Sequence, residues 1–156
     1  MVKKILIAAS FASLSFFGMA QINFYQKVKN LINITHPEIN TENRLIAFNV
    51  WSVDDSESRE ANQSFEKAYS VYEYARLKGG SKGIIVVSFN KDNLSSSAVI
   101  SYNKDGIFKI IPFKVTDLEG LNEGTSNLVF DSGGNEIYKN LSAQNIFSSI
   151  QHLITR

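Results

Sequence analysis

Two continuous apolar runs, with a helical pattern between them, predict the centre of the fold. Leu45–Trp51 and residues 84–89 are mostly apolar, which is typical of strands buried on both faces. Between them, apolar residues spaced three and four apart predict one long helix. Asp54 or Asp55 would cap the start of this helix, and Gly79 and Gly80 would close its end. The three elements together predict a βαβ unit with parallel strands.

The pattern on either side predicts shorter elements. Helical spacing favours an amphipathic helix over residues 22–34 and another over residues 93–102. Residues 108–115 read as extended, and Pro112 favours an edge or a strand end. The element order α-β-α-β-α-β-β-α predicts an α/β sandwich, a mixed sheet with helices on both faces. The last elements are a hairpin of Asn127–Phe130 and residues 136–138 around Gly133 and Gly134, and a helix capped by Ser142 whose apolar stripe is Ile146, Phe147, Ile150, Leu153 and Ile154.

The first twenty residues have the pattern of an export signal. Lys3 and Lys4 precede an apolar run, and small residues stand at positions 18 and 20. The run is shorter than the roughly 20 residues that a membrane-spanning helix needs. We therefore expect a signal peptide over residues 1–20, cleaved after Ala20, and a single domain over residues 21–156. This predicts a periplasmic or secreted protein with no stable membrane anchor after cleavage.

Composition narrows the possible chemistry. Hydrophobic residues at 44% and charged residues at 20% are typical of a globular domain. The net charge of +1 offers no electrostatic footprint for nucleic acid. The chain contains no cysteine, so disulfides, thiolate nucleophiles and thiolate-bound metals are excluded. We expect neither a cofactor nor a metal.

The segment from Phe48 to Glu60, which reads FNVWSVDDSESRE, resembles the strand-to-helix junction of one protein family. Periplasmic thiol–disulfide oxidoreductases of the thioredoxin-like superfamily carry Asn-Phe-Trp-Ala-Ser-Trp-Cys-x-x-Cys-Arg-x-Glu there. Asn49, Trp51 and Arg59 match that pattern without a gap. Residues 84–92 and 127–137 are similar to the family's next strand and its later hairpin. The resemblance, which extends to the alkyl hydroperoxide reductase and thiol-specific antioxidant branch, covers most of residues 44–156 and implies a thioredoxin-like three-layer sandwich.

The chain departs from the family at its reactive positions. Asp55 falls on the first redox cysteine and Ser58 on the second. Thiol–disulfide exchange needs a thiolate, and neither a carboxylate nor a hydroxyl replaces it. The family's cis-proline position is occupied by Thr125, so we expect a trans peptide bond there. The resemblance therefore implies a degenerate member that is neither a thiol–disulfide oxidoreductase nor a peroxiredoxin.

Several residues near this junction can be explained by capping, packing, hydrogen bonding or ion pairing rather than by binding a partner. Asp55 and Ser58 suit the capping of a helix N-terminus. Trp51 either offers a surface to partners or packs the end of the helix. Asn49 is expected to hydrogen-bond the backbone near the helix start, and Arg59 to pair with a nearby acid such as Asp55.

These observations predict an exported, redox-inactive domain that binds an unidentified protein or peptide. An enzyme with non-thiol chemistry and a subunit of an envelope assembly are the alternatives. The resemblance implies that the partner would bind where thioredoxins hold extended substrates, over the motif and the loop at the cis-proline position. That face comprises Trp51, Ser52, Val53, Asp54, Asp55, Gly124, Thr125 and Ser126, and the former redox positions are Asp55 and Ser58.

Overall fold

The computed structural model describes residues 24–118, 121 and 123–155. The predicted signal peptide, residues 1–20, lies outside the described residues. Among the described residues no helix is both long enough and apolar enough to cross a membrane. The elements in chain order are helix α1 (24–35), β1 (Leu45–Trp51), α2 (Ser56–Tyr72), β2 (Ile84–Asn90), α3 (Ser96–Lys104), β3 (Ile111–Lys114), β4 (Asn127–Phe130), β5 (Glu136–Lys139) and α4 (Ala143–Gln151).

The five strands form one mixed sheet in the order β3-β2-β1-β4-β5. β1 and β2 run parallel, with Phe48 opposite Val87, and β3 continues the parallel part. β4 is antiparallel to both β1 and β5, which confirms the hairpin and the mixed sheet. The extended segment around Pro112 forms β3, and it lies at the sheet edge as the proline predicts. A residue without an N–H donor is tolerated there.

Successive side chains of β1 point to opposite faces of the sheet, so the hydrophobic core has two layers, one on each face. Leu45 and Ala47 face a cluster that α2 and α4 complete, whereas Ile46 and Phe48 face α1. All seven residues of β1 are buried, as the continuous apolar run predicts for a central strand. Helices therefore cover both faces of the sheet, and the predicted three-layer α/β sandwich is confirmed.

The predicted end of the long helix is wrong. α2 ends at Tyr72, and Leu77 is extended and buried instead. The N–H of Leu77 donates to Ser81 O at 3.0 Å, and Leu77 also forms a β-bridge with Ile154. This pairing holds the chain out of helical geometry, so Gly79 belongs to a tight turn with φ of 79° rather than to a helix cap.

The observed bounds of α3 and α4 also differ from the predicted ones. α3 begins after Ser95, whose side chain caps it, because Asn93 and Leu94 have positive φ and are not helical. Ser142 occupies the N-cap position of α4 as predicted, but its side chain makes no capping hydrogen bond. α4 ends at Gln151, so the last apolar residues of the predicted stripe lie beyond the helix.

Candidate functional site

The N-terminus of α2 follows β1 directly, and this junction holds both former redox positions. Asp55, not Asp54, is the N-cap: its Oδ1 accepts from the Ser58 N–H at 3.3 Å. The Asp55 side chain is exposed, while Ser58 is buried. Ser58 Oγ donates to Asp55 O at 3.0 Å and accepts from the Ser52 N–H at 3.3 Å. The hydroxyl is thus engaged as both donor and acceptor, in a structural role.

A buried amide pair lies beneath this junction. Asn49 on β1 is fully buried, and its Nδ2 donates to Ser58 O and to Asn62 Oδ1, each at 2.8 Å. This confirms the expected bond from Asn49 to the backbone near the helix start. The two acceptors fix the orientation of the amide, and Asn49 Oδ1 is left buried without a protein partner. The amide pair ties the first turns of α2 to the centre of the sheet.

The loop before β4 forms the opposite wall of the site. Ser126 O accepts from the Val50 N–H at 2.7 Å, so the loop is anchored to β1. Asn140 holds the loop from the other side: its Oδ1 accepts from the Ser126 N–H at 2.9 Å, and its Nδ2 donates to Gly124 O at 3.2 Å. The described residues contain no cis peptide bond, so the bond before Thr125 is trans, as expected.

An open cavity of about 250 Å³ separates these two walls. We call it the α2 groove. Its rim is predominantly acidic, since the lining residues Asp55 and Glu57 are exposed and Lys91 supplies the one basic residue among the described lining residues. The lining residues that are exposed or half-exposed are Asp55, Glu57, Lys91, Gly124, Thr125, Ser126 and Leu141.

Trp51 is not part of any accessible surface. Only 1% of this residue is exposed, and its ring stacks on Tyr102 of α3 with centroids 5.1 Å apart. The Tyr102 hydroxyl is 2.6 Å from Ser88 Oγ, and burial raises the pKa of Tyr102. The prediction that Trp51 contributes to a partner-binding face is therefore wrong, because α3 covers the ring. Trp51 takes the packing role that the sequence left as its alternative.

The residues between Trp51 and Asp55, which the sequence assigned to the partner-binding face, do not line the groove. Ser52 and Val53 are half-buried, and Asp54 is exposed. Asp92 after β2 holds this turn, because its Oδ2 accepts from the Val53 N–H at 2.7 Å. The turn is thus fixed by a side chain from the neighbouring strand end.

Arg59 pairs with Asp105, not with Asp55. Its Nε and Nη2 donate to the two carboxylate oxygens of Asp105 at 2.8 and 2.7 Å, a bidentate arrangement. The hydrogen bonds to Asp105 raise the pKa of Arg59. Asp55 does not form this pair because its carboxylate caps the helix. The bond joins the first turn of α2 to the end of α3.

The sequence reasoning missed Lys91, Asp92, Asp105 and Asn140. A usable signal existed for Lys91 and Asp92, since they directly follow β2 and the carboxyl ends of adjacent parallel strands share one sheet edge. No comparable signal marks Asp105 or Asn140, which reach the site from other elements.

Neither histidine lies in the α2 groove. His36 Nδ1 is 3.1 Å from Glu38 Oε1, and His152 follows α4 at the other end of the molecule. Ser58 therefore has no imidazole base beside it. Within the described part of the chain, no group of three His, Asp or Glu residues is arranged to hold a metal ion.

No family model and no curated protein matches this sequence. Solved structures do match. The thioredoxin domain of a Bacteroides vulgatus thiol–disulfide oxidoreductase is 11% identical, with 74% of this chain and 82% of that chain covered and a TM-score of 0.56. A thioredoxin-like protein from Parabacteroides distasonis is 18% identical, with 69% and 80% covered and a TM-score of 0.52. A secreted thiol–disulfide isomerase from Corynebacterium glutamicum is 16% identical, with 72% and 71% covered and a TM-score of 0.51.

The fold of this chain is therefore thioredoxin-like. Several of its structural neighbours are named for thiol chemistry, whereas this chain has no cysteine with which to perform it. The absence of cysteine is consistent with a degenerate, redox-inactive version of the fold.

Proposed function

We propose that this chain is an exported, redox-inactive thioredoxin-like domain that binds an extended protein or peptide segment in the α2 groove. The observation that carries the proposal is the groove itself, which stays open between Asp55 and Thr125 although the residues at its base have purely structural bonds.

The backbone of Thr125 supports an extended ligand. Neither its N–H nor its C=O takes part in a hydrogen bond with another described residue, while Ser126 next to it is bonded on both sides. Thr125 is half-exposed at the mouth of the groove. A peptide in an extended conformation would pair with this free N–H and C=O, as in recognition by strand addition.

The charge of the rim indicates which side chains the ligand carries. Asp55 and Glu57 line the groove and Asp54 stands beside it, against the single cation of Lys91. Such a rim favours segments with lysine or arginine and repels acidic ones. Among the described lining residues, only Lys91 carries a positive charge that could neutralise an acidic ligand.

Export is supported by the pattern of residues 1–20 and by a structural neighbour that is itself described as secreted. Export is tested by sequencing the N-terminus of the protein recovered from the periplasm or the medium. Cleavage after Ala20 is the expected result, and retention of residues 1–20 in a cytoplasmic protein would contradict it.

Peptide binding is tested with a displayed library of random heptapeptides and the purified domain. We expect enrichment of segments with basic residues, and binding that weakens about tenfold or more in a Glu57→Lys, Thr125→Pro double variant, which inverts one rim charge and removes the free N–H. The single Glu57→Lys variant separates the charge effect from any effect of proline on the loop.

Glu60→Lys is the matched control, since Glu60 is exposed on the same helix but does not line the groove. It makes the same change in net charge, and we expect it to bind as the wild type does. Selected peptides that bind the groove variants and the wild type equally well would refute the site and favour a different surface, as expected for a subunit of an assembly.

A further inference from the structure

Asn140 does not line the α2 groove, yet its side chain bonds to both neighbours of Thr125, which does line it. Asn140 Oδ1 accepts from the Ser126 N–H at 2.9 Å and from Ser126 Oγ at 3.1 Å. Its Nδ2 donates to Gly124 O at 3.2 Å. We call this amide group and its bonds to residues 124 and 126 the amide clamp. It spans Thr125 from outside the groove.

The amide clamp copies the contact that a neighbouring strand makes with one side of an extended residue. In an extended chain, the C=O of residue i−1 and the N–H of residue i+1 point to one side, whereas the N–H and C=O of residue i point to the other. The clamped groups here are the C=O of Gly124 and the N–H of Ser126. The N–H and C=O of Thr125, which bond to no other described residue, are therefore left for the side opposite Asn140.

The backbone around Asn140 fixes the position of its amide group. Asn140 has a φ of 51°, a left-handed conformation that asparagine tolerates better than most residues, and its N–H donates to Asn127 O at 2.9 Å. The buried side chain of Asn127 also fixes the next residue, since it accepts from the Leu141 N–H and donates to Leu141 O, each at 2.9 Å. The amide clamp is thus in place before any ligand arrives.

We propose that Asn140 is a positioning residue for peptide binding, because its amide clamp holds residues 124–126 in the extended form that presents the N–H and C=O of Thr125 to the ligand. This inference rests on the proposed function, and it adds a residue that sets the affinity without touching the ligand. Gly124, with a φ of 87°, gives this loop conformational freedom. Without the amide clamp, ordering the loop would become a cost of binding.

Asn140→Gly tests the proposal, because glycine adopts positive φ without strain and removes only the side chain. The probe is a labelled heptapeptide that the wild-type protein selects from the displayed library, and fluorescence anisotropy measures its affinity. We expect the affinity of the variant to fall about fivefold or more, as for the loss of one net hydrogen bond.

Hydrogen exchange of the free protein, followed by NMR, gives a second readout that needs no ligand. In Asn140→Gly the Ser126 N–H loses its acceptor, so its exchange should become about fivefold faster or more, while the amides of β2 keep their rates. Asn140→Asp keeps an acceptor for the Ser126 N–H but has no donor for Gly124 O. It should therefore keep slow exchange at Ser126, and the same acceleration in both variants would contradict the assigned bond.

Asn43→Gly is the matched control. Asn43 is exposed and has a φ of 56°, close to that of Asn140, but it precedes β1, at the end of the strand opposite to the groove. The substitution makes the same change in side chain and backbone freedom. We expect it to leave both the peptide affinity and the exchange at Ser126 as in the wild type.

The outcomes separate this role of Asn140 from the peptide-binding proposal. If the wild type binds the heptapeptide and Asn140→Gly binds it equally well, the role of Asn140 is refuted and the groove stands. Unchanged exchange at Ser126 in Asn140→Gly, or an equal loss of affinity in Asn43→Gly, refutes it in the same way. A wild-type protein that selects no peptide refutes the proposed function, and this role of Asn140 with it.

Discussion

Replacing Asn49 by aspartate tests the buried amide pair beneath the α2 groove. The two side chains have nearly the same shape, so Asn49→Asp changes the hydrogen bonding and the charge and leaves no cavity. Nδ2 of Asn49 donates to Ser58 O and to Asn62 Oδ1. A carboxylate in its place would face two acceptors with no proton to give, at a fully buried position.

The loss in the free energy of unfolding can be worked out by assuming that the new carboxyl group is protonated in the folded state, since this costs less than burying its charge. Once protonated, that group donates one of the two hydrogen bonds, so one bond of about 1 kcal/mol is lost at every pH. Keeping the carboxyl protonated at pH 7 against an unfolded pKa of about 3.9 costs about 4 kcal/mol more. The loss in the free energy of unfolding should thus be about 5 kcal/mol at pH 7 and about 1–1.5 kcal/mol near pH 4.

The sign of the pH dependence follows from the raised pKa of the folded state. Between pH 4 and pH 7 the unfolded chain loses the proton while the folded chain keeps it, so the variant is destabilised as pH rises, by about 1.4 kcal/mol per pH unit. Urea unfolding of both proteins at pH 4, 5.5 and 7 measures this difference. Trp51 is the only tryptophan in the chain, and its buried ring provides the fluorescence signal.

Asn62→Asp is the matched control, since the Asn62 side chain accepts rather than donates in this pair. A carboxylate there still accepts from Asn49 Nδ2, and a charge-assisted bond recovers part of the desolvation cost. We expect this variant to lose about 1–2 kcal/mol less than Asn49→Asp at pH 7. A loss for Asn49→Asp that is independent of pH, or equal for the two variants, would refute the assigned direction of the hydrogen bond.

Three further predictions test the surroundings of the site. Gly83→Ala should cost about 3–5 kcal/mol in thermal or urea unfolding, because φ is +83° and the new Cβ would lie 1.8 Å from Glu73 O. Gly79→Ala is the control: its φ is similar but the space around it is open, so it should cost only about 1 kcal/mol. Equal losses for the two variants would contradict this. Arg59→Lys keeps the charge but loses the bidentate fork to Asp105, and should cost about 1 kcal/mol in urea unfolding. The protein should give no thiol-dependent turnover in an insulin-reduction assay, and measurable turnover would falsify its redox inactivity.

Secondary-structure elements that depend on a local run of apolar residues or on a turn residue could be predicted from the sequence. The β1 prediction is confirmed because a continuous apolar run leaves a central strand few alternatives. The hairpin is confirmed because Gly134 supplies the positive φ that its turn requires. The end of α2 was not predictable, since it depends on Leu77 pairing with Ile154, a residue 77 positions later.

In the candidate site, too, some residue roles could be predicted from the local sequence and others depend on packing between distant elements. The positions of Asp55 and Ser58 follow from the family resemblance, and the capping role of Asp55 follows from the chemistry of helix N-termini. The burial of Trp51 depends on Tyr102, and the partner of Arg59 is 46 residues away. Such contacts are set by how α3 packs on the sheet, which the local sequence around β1 does not encode.

The two ends of α2 differ in the sign of the exposed charges beside them. Carboxylates surround the start of the helix and the exposed cations Arg76, Lys78 and Lys82 follow its end, while the whole chain carries a net charge of only +1. A small net charge can therefore coexist with local fields of opposite sign, and a charged ligand approaching the start of α2 meets the field of the carboxylates rather than that of the net charge.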